Sequence, residues 1–438
     1  MKDIVEILKK YKIAVIVIVA LLLLMFVRGT VIPKVYYMRE SKVPVKSITA
    51  ETAEKKYRPG SQLDEEDFCV VAIHTDGAKT RLRPSEYKVT NSKLGKLEGA
   101  KKATVILNKN HDITADCLIH SARTKVDSWD ISKNKDKGAM ATLYSTGELH
   151  FSGKEATIDF TEDDAPWKES YSGDDSSEEK GEDVVKYVTF DPDTNITDLS
   201  GAFSDMPYIS YVGKLPASVV SINEAFKNDT ALTGMAEWSD SSVVTAMSAY
   251  DGCTALKKTS PAPATLTDAT SMFNNCSTLP KGMDVSKAVT LKNAGSMYQE
   301  CSSLMSATVP AHADTMDSMF AGCIKLRTAP VIPEGAVNCE SMFSGCQLLT
   351  TASSIPKTVK NTNSMFKDCS ILRGDLMIDA NPDDLDDMLN DAGTSTVINL
   401  KGKSKMLKDI AVTAGEEARL SINGKRVSIE KIMAEQYS

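Results

Sequence analysis

The sequence has no surplus of positive charge. Lysine and arginine total 51 against 59 aspartates and glutamates, which gives a formal net charge of −8 and a pI near 5.4. A nucleic-acid-binding protein needs cationic side chains to neutralise phosphates, so this composition argues against that class. Aromatic residues make up 6% of the chain, with only three tryptophans, which is too few for a wide stacking platform.

The sequence also lacks the motifs of common catalytic sites. Its five histidines are scattered, and neither His-Glu-x-x-His nor Gly-x-Ser-x-Gly occurs. Gly402-Lys403-Ser404 has the form of the end of a phosphate-binding loop, but Val397 stands where the first glycine is required. We therefore predict a protein that is not an enzyme, with no catalytic residue, cofactor or metal ion.

An apolar run near the N-terminus predicts membrane attachment. Residues 13–27 are uninterrupted and apolar, preceded by lysines and closed by Arg28. Fifteen residues is short for a spanning helix, but flanking residues can extend it to 13–32. We predict an uncleaved signal anchor at 13–32, a cytoplasmic N-terminus at 1–12, a stalk at 33–47 and an extracellular remainder; a cleaved signal peptide is the alternative.

The dominant feature of the sequence is a repeat. An aromatic residue recurs at intervals of 22 to 25 residues, at Phe203, Phe226, Tyr250, Phe273, Tyr298, Phe320, Phe343 and Phe366. Six of these are followed three places later by a cysteine, at Cys253, Cys276, Cys301, Cys323, Cys346 and Cys369. Seven are followed six places later by a leucine, at Leu232, Leu256, Leu279, Leu304, Leu326, Leu349 and Leu372. A fixed period of this length predicts a solenoid in which neighbouring repeats stack to bury a common core.

Each repeat is predicted to combine a helix-like turn with an extended arm. In Met272-Phe273-x-x-Cys276-x-x-Leu279 the apolar residues recur at three and four places, the spacing of one helical face. Ser271 and its equivalents precede this turn, where a hydroxyl can cap free backbone amides. Prolines mark a bend before the extended arm. The predicted fold class is a leucine-rich-repeat solenoid of α/β repeats over 191–380.

The cysteines of the repeat are interpreted as small buried thiols. They occur once per repeat without a Cys-x-x-Cys pair or a histidine partner, which excludes the usual zinc arrangements. If neighbouring helix-like turns pack about 8–10 Å apart, adjacent cysteines lie too far apart for a disulfide.

The repeat resembles that of the BspA-like leucine-rich repeat family of bacterial surface proteins, in its Met-Phe-x-x-Cys-x-x-Leu variant. The resemblance covers residues 200–380, and the early repeats depart from it, with Met206 and Asp229 in place of cysteine. The segment Trp129–Gly153 and the Asn381-Pro382 start of the C-terminal region also look like the flanks of such repeats. The resemblance implies a cell-surface protein that adheres to host proteins or to other cells.

Residues 48–122 are predicted to form a small β-sandwich. Short apolar strands at 68–74, 87–89, 103–107 and 113–120 are separated by turn signals such as Asp76-Gly77. Their order, with the Val45–Ala50 and Tyr57–Gly60 segments, looks like the bacterial immunoglobulin-like domains of surface proteins. Cys69 and Cys117 can either pair as a disulfide or remain two small buried side chains.

Two further regions flank the repeats. Residues 123–190 are predicted to be rich in β-strands, with a hairpin at Gly147 and an acidic stretch at 172–183 that is either a solvated disordered loop or a calcium loop. Residues 381–438 are predicted to form an α/β cap, with helices at 383–389 and 405–412, a strand at 396–400 and a hairpin turning at Asn423-Gly424.

The functional prediction is binding of an extracellular protein or glycan through the repeats. The rival is a structural scaffold of the cell envelope that binds peptidoglycan or a neighbouring membrane protein. A third possibility is a polysaccharide-capture protein, which would need exposed aromatics, and Trp238 is the only tryptophan within the repeats.

Overall fold

A computed structural model describes residues 43–53, 57, 61–94, 100–120, 125–132, 138–154, 165–172, 178–238, 240–415 and 418–436. The chain divides into two units, Met1–Thr124 and Lys125–Ser438. Each unit has its own hydrophobic core.

The first unit consists of two antiparallel three-stranded sheets around one core. Its strands are β1 (Val45–Thr52), β2 (Phe68–His74), β3 (Lys79–Arg81), β4 (Tyr87–Thr90), β5 (Ala100–Leu107) and β6 (Thr114–His120). Burial along β2 alternates strictly from Phe68 to His74, because successive side chains point to opposite faces of a sheet. Ile48, Val70, Val105 and Ile119 bring both sheets into the same core.

The sheets of the first unit give no support to the immunoglobulin-like assignment. Strand order is β1-β2-β3 in one sheet and β4-β5-β6 in the other, so consecutive strands pair with each other. An immunoglobulin fold instead requires Greek-key connections. Cys69 and Cys117 are both free thiols, and burial raises the pKa of Cys117 to about 12. Only Cys117 of the two is buried, whereas Cys69 is half-buried, so neither predicted alternative describes both side chains.

The second unit begins with a five-stranded sheet. Its order is β13-β12-β9-β8-β7, formed by β7 (Lys125–Asp130), β8 (Ala139–Tyr144), β9 (Glu148–Gly153), β12 (Tyr187–Phe190) and β13 (Tyr211–Val212). The β8–β9 hairpin turns at Gly147, as predicted, with φ of +77°. Two shorter strands, β10 (Ser170–Ser172) and β11 (Glu178–Lys180), pair before the helix α1 (Gly181–Val184).

The repeats form a β-solenoid of about ten turns. One line of parallel bridges runs along it, five places before each aromatic position, from Asp198 through Ser221, Thr245, Asp268, Asn293, Thr315, Asn338 and Asn361 to Asp384. This line identifies nine coils in register, and Leu389 takes the aromatic position in the ninth. A backbone ladder therefore holds each coil to the next.

The prediction of an α/β solenoid is wrong, because the Met-Phe-x-x-Cys segment is a series of turns. In every coil the residues two places before and two places after the aromatic position have positive φ, as at Ser271 (+55°) and Asn275 (+57°). Two left-handed residues within five positions exclude an α-helix. The Ser271 amide donates to Gly295 of the next coil, and we find no amide that its hydroxyl caps in the described residues.

The C-terminal region continues the solenoid before it closes it. The predicted helix at 383–389 is wrong, since these residues form the ninth coil with Asp387 at φ +53°. The predicted strand, second helix and hairpin are present as β15 (Val397–Lys401), α2 (Leu407–Val412), β16 (Arg419–Ile422) and β17 (Lys425–Arg426). The strand β14 (Gly374–Met377) and the helix α3 (Ile429–Gln436) were not predicted. The order β14-β15-β16-β17 makes one sheet, and α2 and α3 add Leu407, Ile410, Ile429 and Ile432 to the core.

The prediction of a single-pass membrane protein is contradicted. Among the described residues, no helix combines the length and the apolar character that a bilayer crossing requires. The α-helices that are described there have four, six and eight residues. The predicted anchor at 13–32 itself lies outside the described residues.

Candidate binding faces of the solenoid

The predicted repeat columns form the core and leave the binding role to other positions. All eight aromatic residues, the six column cysteines and the seven column leucines are at most 1% exposed. Consecutive rings from Phe203 to Phe366 stack with centroids 5.1–5.9 Å apart and planes within 17°. Side chains committed to packing in this way are unavailable to a ligand.

The stacking distance corrects the reasoning about the cysteines. Neighbouring coils lie about 5 Å apart, the spacing of adjacent strands, rather than the 8–10 Å of packed helices. The cysteines are free thiols nonetheless, and each donates to the carbonyl of the aromatic residue in the preceding coil. Representative Sγ–O distances are 3.0 Å from Cys253 to Phe226 and 3.1 Å from Cys369 to Phe343. A cysteine suits this column because it is small, apolar and a weak donor.

Asp229 occupies the cysteine position of the second coil. It is completely buried, and its Oδ1 accepts a hydrogen bond from the Met206 amide at 3.0 Å. Its Oδ2 is buried without a partner. Desolvation raises the pKa of this carboxyl well above its usual value, against the lowering effect of the Met206 hydrogen bond and of Lys168.

The N-terminal end of the solenoid is closed by Trp167 and Lys168. The Trp167 ring stacks on Phe203 at 6.0 Å, and its Nε1 donates to the Ala202 carbonyl at 2.8 Å. Lys168 Nζ donates to the Gly201 carbonyl at 3.2 Å and to Ser204 Oγ at 2.9 Å. The Trp167 donor takes the place of the aromatic-position amide of a preceding coil, which in later coils donates to the equivalent carbonyl, as Phe203 does to Ala225.

One exposed surface, here called the ladder face, consists of the residues six, five and three places before each aromatic position. Asp268 Oδ1 accepts from the Thr270 amide at 2.9 Å, and its Oδ2 accepts from Asn293 Nδ2 at 2.9 Å. The face carries eight acids and two bases, namely Asp198, Asp268, Asp314, Asp317, Glu340, Asp383, Asp384, Asp386, Lys292 and Lys360. Both lysines are paired, Lys292 with Asp314 at 3.2 Å and Lys360 with Asp383 at 3.8 Å.

A second surface, here called the basic face, consists of the residues four, five, seven and eight places after each aromatic position. These columns are in register, since the Lys257 amide donates to the Thr233 carbonyl and the Arg373 amide to the Thr350 carbonyl. Nine coils give 36 positions, of which none is acidic and six are basic: Lys257, Lys258, Lys281, Lys325, Arg327 and Arg373. All six are exposed. The net negative chain thus carries an acid-free surface.

The two faces lie on different sides of the coil. A residue five places before an aromatic position and one eight places after it are thirteen places apart, in a coil of 22 to 25 residues. The nearest columns of the two faces, three places before and four places after the aromatic position, are seven places apart, and the turn with the buried aromatic residue lies between them in the chain. Sequence reasoning missed both, although sorting residues by repeat position separates their charges.

Two remaining points of the sequence analysis concern metal binding and the acidic stretch at 172–183. The described residues contain no group of three or more histidine, cysteine, aspartate or glutamate side chains placed to hold a metal ion. Part of the acidic stretch, residues 173–177, lies outside the described residues, while the strands β10 and β11 flank it.

Comparison with known proteins gives a partial family match and distant structural similarity. A family described as "Mycoplasma protein of unknown function, DUF285" matches residues 197–312, which is 116 of the 438 residues. No curated protein matches the chain at a significant level.

Solved structures similar to the chain are leucine-rich repeat proteins of bacteria. One from Bacteroides ovatus is 13% identical and covers 68% of this chain and 98% of its own, with a TM-score of 0.24. A leucine-rich cell surface protein from Faecalibacterium prausnitzii is 14% identical and covers 57% and 94%, with a TM-score of 0.23. A third from Eubacterium ventriosum is 13% identical and covers 57% and 90%, with a TM-score of 0.19. The chain is thus similar to bacterial leucine-rich repeat and cell-surface proteins, but nothing about its ligand follows from likeness this distant.

Proposed function

We propose that this chain is a non-enzymatic surface protein whose solenoid binds an extracellular protein or glycan. The observation that supports binding is that each coil uses separate positions for the core and for the surface. The same columns fill the core from the first coil to the eighth, while the exposed columns differ from coil to coil and carry opposite charge on two faces. An extended surface of this kind is how solenoid proteins contact their partners.

The scaffold alternative requires a different part of the molecule to bind the partner. A structural component of the envelope would depend on the first unit to hold its partner, with the solenoid serving as a spacer. The two proposals therefore differ in which surface must be intact for binding.

The experiment is a binding panel with the full-length chain immobilised. The panel contains purified extracellular-matrix proteins, mucosal glycoproteins, a glycan set and peptidoglycan. Three variants are compared with the parent chain: charge substitutions on the ladder face, charge substitutions on the basic face, and charge substitutions on exposed residues of the first unit such as Lys79 and Lys88.

We expect at least one protein or glycan to bind and to be released by substitutions on a solenoid face only. Retention of peptidoglycan alone, lost in the first-unit variant, would establish the scaffold instead. If no panel member depends on either solenoid face, the proposed function is wrong.

A further inference from the structure

We propose that the basic face binds a linear anionic polysaccharide, one that carries sulfate or carboxylate groups along its length. This inference rests on the proposed function and names the class of partner and the face that recognises it. It is carried by the position, spacing and pairing of the cations.

The cations follow the solenoid axis. Lys257 and Lys258 lie on the third coil, Lys281 on the fourth, Lys325 and Arg327 on the sixth, and Arg373 on the eighth. Because coils are stacked at strand spacing, the cations of coils four, six and eight recur about every 10 Å along the axis. A line of regularly spaced positive charge fits a polymer whose negative charges also repeat, rather than one compact anion.

Most of these cations are not neutralised by a neighbouring acid in the described part of the chain. Lys257, Lys281, Lys325, Arg327 and Arg373 take part in no ion pair within the described part of the chain, whereas the lysines of the ladder face are both paired. With no acid at any of the 36 positions, nothing on the basic face repels an approaching anion. The pairing pattern therefore distinguishes this face from an ordinary solvated surface.

The neutral residues of the basic face also fit a sugar polymer. Many are hydroxyl residues, including Thr254, Ser277, Ser303, Ser306, Thr328 and Thr351, while the hydroxyls of Thr278, Ser302 and Thr350 already donate to backbone carbonyls of the preceding coil. Exposed hydroxyls can donate to and accept from the hydroxyls of a sugar ring. The side chains stand on a hydrogen-bonded ladder, as the bridges Lys281–Ser306 and Thr328–Thr351 show, so binding orders little additional backbone.

Two other classes of macromolecule fit the face less well. A stable protein interface has an apolar core depleted of charge, whereas the exposed apolar residues here, such as Tyr208, Met305 and Leu348, stand on different coils among hydroxyls and cations. Single-stranded nucleic acid needs aromatic platforms, and Tyr208 is the only exposed aromatic on the face. Duplex DNA carries a charge about every 1.7 Å of axis, far denser than these cations.

The test is titration of the immobilised full-length protein with four polymers. Heparin is the sulfated probe, polygalacturonate the carboxylate probe, dextran the neutral control and double-stranded DNA the control for unselective attraction. The substituted protein is Lys281→Gln/Arg327→Gln/Arg373→Gln. Its matched control, Lys214→Gln/Lys292→Gln/Lys360→Gln, changes the net charge equally at lysines that form ion pairs elsewhere on the solenoid. Thermal unfolding of both variants verifies that these exposed substitutions leave the fold intact.

We expect heparin or polygalacturonate to bind and dextran not to bind. Loss of one surface charge contact corresponds to a fall of about fivefold in affinity at low salt. The affinity of the triple variant should therefore fall at least tenfold, while that of the control changes less than threefold. Binding should weaken as salt rises, with a smaller salt slope in the triple variant. The two probes distinguish a sulfated from a uronate source.

Several results would overturn the inference. If neither anionic polysaccharide binds but another panel member does through a solenoid face, the partner class is wrong and the proposed function stands. Equal losses in the triple variant and its control would mean that net charge alone acts. DNA binding as tight as that of the polysaccharides would mean unselective attraction.

Discussion

Replacing Asp229 by cysteine should stabilise the protein, and the gain should grow with pH. Asp229 is the carboxylate in a column that is otherwise filled by thiols from the third coil to the eighth. Among the described residues no donor reaches the Phe203 carbonyl, the position that accepts a thiol proton in later coils, and Asp229 Oδ2 has no partner. Burial without a partner for Oδ2 disfavours the charged carboxylate, so we expect the buried acid to be neutral.

The magnitude follows from these unpaired groups. Leaving a buried polar group without a partner costs about 1–3 kcal/mol, and a cysteine removes the carboxyl while supplying the thiol donor. We therefore expect Asp229→Cys to raise the free energy of unfolding at pH 8 by at least about 1–3 kcal/mol. Asp229→Asn should share the pH dependence of the gain, because it also removes the titratable group.

The sign of the pH dependence comes from linkage. Burial raises the pKa of Asp229 in the folded state, so the folded protein binds more protons than the unfolded chain above the unfolded value of about 4. The contribution of Asp229 to the free energy of unfolding of the parent protein is fully present below pH 4. It is lost as pH rises toward the folded pKa. The advantage of the variants must increase across that window.

The assay is urea unfolding of the parent and variants from pH 4 to pH 8. Asp205→Asn is the matched control, since Asp205 is exposed and its Oδ1 already accepts from Asn228, a bond that an asparagine can keep. The control should change stability by less than about 0.5 kcal/mol. A constant difference between Asp229→Cys and the parent at all pH values would refute the interpretation of a neutral buried acid.

Three further predictions concern the core and its ends. Phe320→Ala, in the middle of the ring stack, should cost about 3–5 kcal/mol in chemical unfolding, whereas Met305→Ala at 60% exposure should cost less than about 0.5 kcal/mol. In native protein at pH 8 only Cys69 of the nine cysteines should react rapidly with a thiol reagent, because burial raises the pKa of the other eight; all nine should react in denaturant. Trp167→Phe should keep the ring stack but cost about 1–3 kcal/mol by leaving the Ala202 carbonyl without its donor, again measured by unfolding.

The solenoid could be predicted from the sequence, but its local backbone could not. A period in the low twenties and three aligned columns are sufficient to predict stacked coils, because only stacking can bury them. The spacing of Met272, Phe273, Cys276 and Leu279 also matches one helical face, and the helix was the wrong choice. A chain of tight turns can bring the same positions inward when two residues four places apart, such as Ser271 and Asn275, adopt left-handed backbone.

The missing signal was the identity of the residues between the columns. Two places after the aromatic, the chain has glycine, asparagine or aspartate in eight of nine coils, and these residues tolerate positive φ best. Serine two places before the aromatic occupies the matching left-handed position, rather than capping a helix. The two faces were missed for a related reason, since they are defined by position within the coil and depend on a register that the bridges reveal.

The turns give the solenoid a direction that determines what can close its ends. At the aromatic position the backbone amide donates to the following coil, as Phe273 does to Met297, so this part of each coil presents acceptors toward the N-terminus and donors toward the C-terminus. Trp167 and Lys168 accordingly bring donors to the first coil, and Thr413 brings its Oγ1 as an acceptor to the Leu389 amide. Two uncapped ends would be complementary and would pair head to tail, as exposed sheet edges do. The caps therefore have opposite hydrogen-bonding chemistry, and each one satisfies groups that an uncapped end would leave open to pairing.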